Sequence, residues 1–193
     1  MQKRFLDEET VIQDAFRLGV KIFESGFRPT FIVGLWRGGS SVGIYVQECL
    51  QTLGVKTDHI ALRTSYRGLP AYQSMVEAPE EIRVHGTQYL VENLNVDDGL
   101  LIVDDVFSTG YNINAVINRL SSKLKRNMPS QVKVATLYQR PGYNRVGLSP
   151  DFCLHETSDW LVFPYELKGL SADDIQQNKA WVMPYLRDKN QAE

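Results

Sequence analysis

The sequence predicts an α/β domain: a mostly parallel central sheet flanked by helices. Three observations carry this reading. Short apolar runs recur at Phe31–Leu35, Leu100–Val103 and Val132–Tyr138, too brief for helices and unbroken enough for strands buried on both faces. Stretches with apolar residues at helical spacing lie between them. The 193 residues contain no internal repeat and no Pro/Gly/Ser linker, so one domain accounts for residues 1–193.

The elements follow in order. Ile12, Ala15, Phe16, Gly19, Ile22 and Phe23 make one stripe of a helix over 8–25, and Gly26 can end it. The strand Phe31–Leu35 runs into a loop, Trp36-Arg37-Gly38-Gly39. Ser40 is placed to cap a second helix whose buried face is Val42, Tyr45, Val46, Cys49 and Leu50, stopped by Gly54. Val55–Leu62 completes a βαβ unit with a right-handed crossover. Residues 65–80 carry turn signals and no period, which reads as a long functional loop. Residues 82–94 fit a strand or a helix equally. The turn Asp97-Asp98-Gly99 enters a strand over 100–104, and a loop runs on to Gly110. Ile113, Val116, Ile117, Leu120 and Leu124 mark the next helix. A strand over 132–138, short strands near 151–155 and 160–163, and a helix from about Ser171 complete the chain.

Composition excludes several classes. Twenty-one basic against 23 acidic residues give a formal charge of −2, which argues against nucleic-acid binding by bulk positive charge. The run Lys123-Leu124-Lys125-Arg126 sits at a helix C-terminus, where cations complement the dipole. No apolar run approaches the ~20 residues of a membrane span. The N-terminus lacks the apolar segment of a secretory signal. Cys49 and Cys153 make neither a disulfide framework nor a metal cluster. The expectation is a soluble, cytoplasmic protein with no membrane partner.

The chemistry concentrates in Leu100-Leu101-Ile102-Val103-Asp104-Asp105-Val106-Phe107-Ser108-Thr109-Gly110. A buried strand ends on two carboxylates, and a small-hydroxyl loop leads into a helix. In open parallel sheets, ligands bind beyond the carboxyl ends of the strands. A loop entering a helix there offers backbone N–H groups and the positive end of the helix dipole, an anion site. Ser108 and Thr109 add hydroxyl donors, and Gly110 permits close backbone approach. Adjacent carboxylates accept hydrogen bonds from vicinal hydroxyls. A phosphate site beside a diol site describes a ribose 5-phosphate. Acid pairs before helices are commonly caps or turn formers, as at Asp97-Asp98; the full eleven-residue pattern is more specific than the pair.

This segment resembles the phosphoribosyl pyrophosphate signature of the type I phosphoribosyltransferases. Arg37-Gly38-Gly39 is similar to that family's pyrophosphate loop, which often holds a cis peptide, here at Arg37–Gly38. Ser65-Tyr66 looks like the start of its flexible substrate-covering loop. Val132–Tyr138, Arg140-Pro141 and Asp159–Glu166 resemble the base-binding hood of the 6-oxopurine enzymes, especially the xanthine-guanine type. The resemblance spans roughly residues 30–167. It implies the type I phosphoribosyltransferase fold, with a core over about 26–140, a hood over about 140–170 and peripheral terminal helices.

The resemblance also implies roles. Asp104 and Asp105 would hold the ribose hydroxyls directly or through Mg²⁺-bound water, and Val106, Phe107, Ser108, Thr109, Gly110 and Asn112 would cradle the 5-phosphate. Arg37, with the backbone of Gly38 and Gly39, would face the pyrophosphate; Ser65 and Tyr66 would close over it. Arg140 stands where a lysine usually donates to the purine O6. Trp160 would stack on the base, Leu161 would offer backbone groups to its edge, and Glu166 matches an acidic position near the metal. Trp160 reads equally as a core residue and Arg37 as a surface ion-pair member. One departure is Ser108, which replaces the aspartate usually found near N7; serine without a partner is a poor general base.

The implied activity is transfer of the phosphoribosyl group from phosphoribosyl pyrophosphate to hypoxanthine, guanine or xanthine in purine salvage, by a homodimer or homotetramer. Two alternatives stay open. One is a non-catalytic sensor of phosphoribosyl pyrophosphate or nucleotides on the same fold. The other is an enzyme for adenine or a pyrimidine.

Overall fold

The computed structural model describes residues 3–66 and 82–186, which form two compact units. The larger comprises Glu9–Ser158 and the smaller Met1–Glu8 with Asp159–Glu193.

In the larger unit the strands are β2 (Phe31–Trp36), β3 (Asp58–Tyr66), β4 (Ile82–His85), β5 (Gly99–Phe107), β6 (Gln131–Gln139) and β7 (Phe152–Glu156). They form one sheet in the order β4-β3-β2-β5-β6-β7, parallel throughout except for β4, which runs antiparallel to β3. The chain order reverses between β2 and β5: β3 and β4 build outward on one side, β6 and β7 on the other. A ligand site is expected at such a switch point, beyond the strands' carboxyl ends.

The helices are α1 (Glu8–Glu24), α2 (Gly38–Thr52), α3 (Gln88–Asn93) and α4 (Tyr111–Leu124). Alternation along β2 separates the two sheet faces. Val33 and Leu35 join Leu100, Ile102, Leu90 and the α4 stripe Ile113, Val116, Leu120 and Leu124 in one buried cluster. On the other face a Cβ at Gly34 would lie 2.8 Å from the Ser40 Cα, so α2 rests directly on that strand. Gly19 of α1 meets Cys49 of α2 as closely, with 2.7 Å from a would-be Cβ to the Cys49 Cβ.

Several boundaries differ from the sequence expectation. The ambiguous stretch 82–94 contains both a strand and a helix, separated at Gly86, whose φ of +85° suits glycine. The second βαβ strand is Asp58–Tyr66 rather than Val55–Leu62, because its far end is paired with β4. Ser65 and Tyr66 therefore lie in a strand and not at a loop's start; the remaining expected loop, 67–80, lies outside the described residues.

The smaller unit holds β1 (Lys3–Phe5), paired in parallel with β8 (Trp160–Val162), and α5 (Ala172–Asn178). Ser171 and Asp174 form a capping box at the start of α5, each bonding the other's backbone N–H. A short 3₁₀ turn, Ala180–Val182, and α6 (Met183–Leu186) follow. No helix among the described residues is long and apolar enough to cross a membrane.

Candidate functional site

The switch point brings together the end of β2 and the end of β5, which are parallel neighbours with Gly34 opposite Val103. After β2 the peptide Trp36–Arg37 is cis, one bond earlier than the Arg37–Gly38 position that the resemblance implied. The helix then starts at once. Gly38 and Gly39 form the first turn of α2, and Ser40 is not its cap; Arg37 occupies the N-cap position with no side-chain capping bond. The glycines thus present helix-N-terminal amides, the donors that lack partners within a helix.

Gly39 reaches the end of β5. A Cβ there would lie 2.2 Å from the Val103 carbonyl oxygen and 2.8 Å from the Asp104 Cα, so no side chain fits. The Gly39 and Asp105 amides donate to the Asp104 carboxylate. Burial, and then the Asp105 charge beside it, nevertheless push the Asp104 carboxyl well above the usual carboxylate range. Asp105 Oδ1 accepts the Val106 amide at 2.8 Å. The strand's polar end is a pair of crowded acids beside a helix N-terminus.

β5 continues through Asp105, Val106 and Phe107, opposite Tyr138 and Gln139 of β6, so the expected loop over 105–110 is only Ser108-Thr109-Gly110. Val106 and Phe107 are ladder residues, not loop residues. Gly110 adopts φ +80°; a Cβ would strike Val146 at 2.4 Å and Phe107 at 2.7 Å. It caps α4 without a side-chain bond, and Asn112 lies in that helix's first turn. The Thr109 hydroxyl accepts weakly from the Tyr111 amide at 3.4 Å. Among the described residues, no acceptor takes the amides of Ser108, Thr109 or Gly110. The buried Ser108 hydroxyl has no partner there either. A buried polar group left unmatched is costly, and a phosphate would match this set.

Ser65 Oγ is 2.8 Å from His85 Nε2 across the β3–β4 ladder. Arg140 is buried, donates to the Ser158 carbonyl at 3.4 Å, and lies over the Tyr143 ring, 4.2 Å from its centroid. Its backbone N–H donates to the Phe107 carbonyl, and the Arg145 amide to Thr109, so the 140–146 segment braces the 107–110 turn. Arg37 is exposed.

The remaining expected residues belong to the smaller unit. Trp160 is exposed and Leu161 buried, both on β8. Trp160 and Glu166 line one cavity of about 300 Å³ with Lys3, Val162 and Lys168. The Glu166 carboxylate accepts the Phe163 amide at 2.9 Å. Sequence reasoning did not single out Lys179, whose buried ammonium donates to the Phe163 and Pro164 carbonyls. It also passed over Asp14, buried on α1 and bonded to Arg17 and His155. Lys179 carries no local sequence signal, because its partners are backbone carbonyls 15 and 16 positions away; Asp14 has Arg17 one helical turn on, an i,i+3 pair that reads as an ordinary surface ion pair, and the partner that marks it as buried, His155, is distant in sequence.

Among the described residues, no three metal-ligating side chains converge. Asp104 and Asp105 supply hard oxygens from one strand end, a donor set suited to an ion whose other ligands are water and phosphate.

A sequence model described as a phosphoribosyl transferase domain matches residues 1–169. No curated protein matches the chain. Among solved structures, the fold is similar to a purine phosphoribosyltransferase from Pyrococcus horikoshii, at 23% identity over 89% of this chain and 98% of that one, with a TM-score of 0.64. It is also similar to the Helicobacter pylori xanthine-guanine-hypoxanthine phosphoribosyltransferase, at 15% identity over 86% and 95%, with a TM-score of 0.62. A hypothetical protein from Neisseria gonorrhoeae with bound ppGpp shares 16% identity over 93% and 97%, with a TM-score of 0.66. With the sheet's switch point, the paired acids toward the carboxyl end of β5 and a family match over most of the sequence, the chain belongs to the phosphoribosyl transferase domain family.

Proposed function

We propose that this chain transfers the phosphoribosyl group from phosphoribosyl pyrophosphate to a 6-oxopurine, giving a nucleoside 5-monophosphate and pyrophosphate. One observation carries the reading: at the switch point, paired acids stand beside a turn whose three amides and buried hydroxyl have no partner among the described residues. The acids suit a ribose diol and the turn suits its 5-phosphate.

In this reading the Ser108–Gly110 amides, the Ser108 and Thr109 hydroxyls and the first turn of α4 fix the 5-phosphate. Asp104 and Asp105 accept from the 2- and 3-hydroxyls, which orients C1 for attack. The α2 amide at Gly38, with the Arg37 guanidinium, offsets the charge that grows on the departing pyrophosphate, while the Gly39 amide holds the Asp104 carboxylate beside it. Asp104 and Asp105 are the residues of β5 that would hold Mg²⁺, and the ion when bound would supply further positive charge to the pyrophosphate oxygens; Glu166, the third acid that the resemblance implies, forms no three-ligand group with them among the described residues. Holding donor and acceptor in line lowers the barrier further by converting a bimolecular encounter into an oriented one. Ser65 and Tyr66, at the end of β3, would help to exclude water from an oxocarbenium-like centre. Trp160 stacks on the base, Leu161 offers backbone groups, and Arg140 donates to a carbonyl oxygen, which an exocyclic amine would not accept. The core over about 26–140 and the hood over about 140–170 are parts of one domain, in a cytoplasmic purine-salvage enzyme that works as a homodimer or homotetramer.

The test is a base panel. The protein is mixed with phosphoribosyl pyrophosphate, magnesium chloride and one of hypoxanthine, guanine, xanthine, adenine or uracil, and pyrophosphate is assayed. Saturable product with a 6-oxopurine supports the proposal. Product with adenine or uracil alone replaces the acceptor.

The second reading is a nucleotide sensor. It is favoured by Ser108, which stands where an acid is usual, and by the ppGpp-bound neighbour of the same fold. Absence of product with every base, together with tight nucleotide binding, selects it.

A further inference from the structure

His59 of β3 has a ring nitrogen that bonds to nothing. Its Nε2 is shielded from solvent and has no hydrogen-bond partner among the described residues. The ring lies between glycines of two other elements. A Cβ on Gly34 of β2 would stand 2.9 Å from Nε2, and one on Gly43 of α2 would stand 2.8 Å from the same atom. Both glycines are side-chain-free where the imidazole fills the space. A buried polar atom left unmatched costs free energy, so the ring contributes here by its bulk and not by its bonding.

This contact bears on how α2 sits over the sheet. Gly39 and Gly43 are four residues apart and share a face of the helix. Gly39 rests on the end of β5, against the Val103 carbonyl and the Asp104 Cα; Gly43 rests on His59 of β3. Gly34 of β2, the strand between them, supports Ser40. Farther along α2, the side-chain amides of Gln47 and Gln51 both donate to the Thr57 carbonyl at 3.1 Å. At the site end the Ser40 hydroxyl reaches the Gly34 carbonyl only at 3.5 Å, the limit of bonding distance. The height of the first two turns is therefore set by packing, on β5 at Gly39 and on the imidazole at Gly43.

We propose that His59 is a positioning residue: its ring is the spacer that holds α2 where Gly39 meets Asp104 and Gly38 presents its amide to the pyrophosphate. This rests on the phosphoribosyltransferase reading of that helix start. The spacer itself stands on the contacts alone, and all of them lie within the larger unit.

The test uses the full chain as His59→Ala, which empties the gap, Gly43→Ala, which crowds the ring, and the double variant, in which the new methyl enters the space that the ring has left. Calorimetry is run with inorganic pyrophosphate in magnesium chloride and, separately, with ribose 5-phosphate. We expect each single variant to bind pyrophosphate at least tenfold more weakly and ribose 5-phosphate within twofold of wild type. The double variant should bind pyrophosphate more tightly than either single one, a non-additivity expected of groups in contact. Equal losses for both ligands mean general destabilisation and overturn the positioning role, as does wild-type pyrophosphate affinity in both single variants. Losses that add in the double variant overturn the contact. If His59→Ala does not fold, Gly43→Ala decides by the same split between the two ligands. The ¹⁵N-labelled, ligand-free proteins give the second readout: the Gly39 amide should shift in each single variant and return toward wild type in the double, with the Ser108–Gly110 amides unmoved. An unmoved Gly39 amide overturns the spacer. A wild-type protein that binds no pyrophosphate overturns the reading of the helix start and the positioning role with it, while the Gly39 shifts still judge the spacer.

Discussion

Gly39 and Asp104 touch across the switch point of the sheet: the Gly39 amide donates to the Asp104 carboxylate, and a Cβ at Gly39 would lie 2.8 Å from the Asp104 Cα. Two segments that are 65 positions apart in the chain, the start of α2 and the end of β5, are thereby held at van der Waals contact. In the proposed function these are the pyrophosphate-facing and ribose-facing parts of one site.

The Gly39→Ala substitution should therefore act on both stability and binding. The nearest atoms are backbone, which cannot swing aside, so the cost is that of overpacking, about 1–3 kcal/mol. A thermal melt should fall by several degrees, about 2–4 °C for each kcal/mol in a chain of this size. Pyrophosphate affinity should fall with it. A wild-type melting temperature would show that the contact is loose.

Asp104→Asn should stabilise the ligand-free protein at neutral pH. Burial and the Asp105 charge raise the Asp104 carboxyl above its ordinary range, so the folded state binds the proton more tightly than the unfolded state. Stability then falls as pH rises from the ordinary carboxylate range through the raised folded value. Removing the charge should raise the neutral-pH melting temperature by at least about 2 °C and leave the melt near pH 3 nearly unchanged. Melting curves of both proteins across pH 3–8 check this. A destabilised variant at neutral pH would contradict the sign.

Asp105→Asn should lower turnover at saturating phosphoribosyl pyrophosphate at least tenfold, a loss of ~1.4 kcal/mol in transition-state stabilisation. Steady-state kinetics with the best base of the panel measures it. Unchanged turnover would remove Asp105 from the chemistry.

Ser108→Ala should separate binding from folding. The hydroxyl is buried and unpartnered among the described residues, so its loss should leave the melting temperature within about 1 °C or raise it. If a phosphate accepts from it, the lost charge-assisted bond is about 1.5–3 kcal/mol, roughly 10- to 100-fold in donor affinity. Calorimetry with phosphoribosyl pyrophosphate tests the pair of outcomes; equal affinity would exclude the hydroxyl from the phosphate site.

The middle of the fold was legible in the sequence and the edges of its elements were not. Leu100–Val103 reads as a strand because an unbroken apolar run suits a strand covered on both faces, and α4 reads from its stripe. Asp105–Phe107 did not read as strand, since acids signal a turn; pairing with β6 carries the ladder past them, and the polar end faces the site. Gly38 and Gly39 look like loop formers, yet tertiary contact with β5 places them in a helix despite their low propensity. β1 was invisible: Lys3-Arg4-Phe5 is short and charged, and its partner, Trp160-Leu161-Val162, lies at the far end of the chain. The candidate residues at 104–110 were found because strand, acids and turn adjoin in sequence. Lys179 was missed because the carbonyls that hold it carry no side-chain signature.

The most direct test of the central claim is residue-resolved NMR of the ¹⁵N-labelled protein titrated with ribose 5-phosphate. The account predicts that the amides of Ser108, Thr109, Gly110 and Tyr111 show the largest saturable shifts, moving to the positions of amides bonded to phosphate, with smaller shifts at Asp104 and Asp105. Saturable shifts elsewhere, with those amides unmoved, would contradict it.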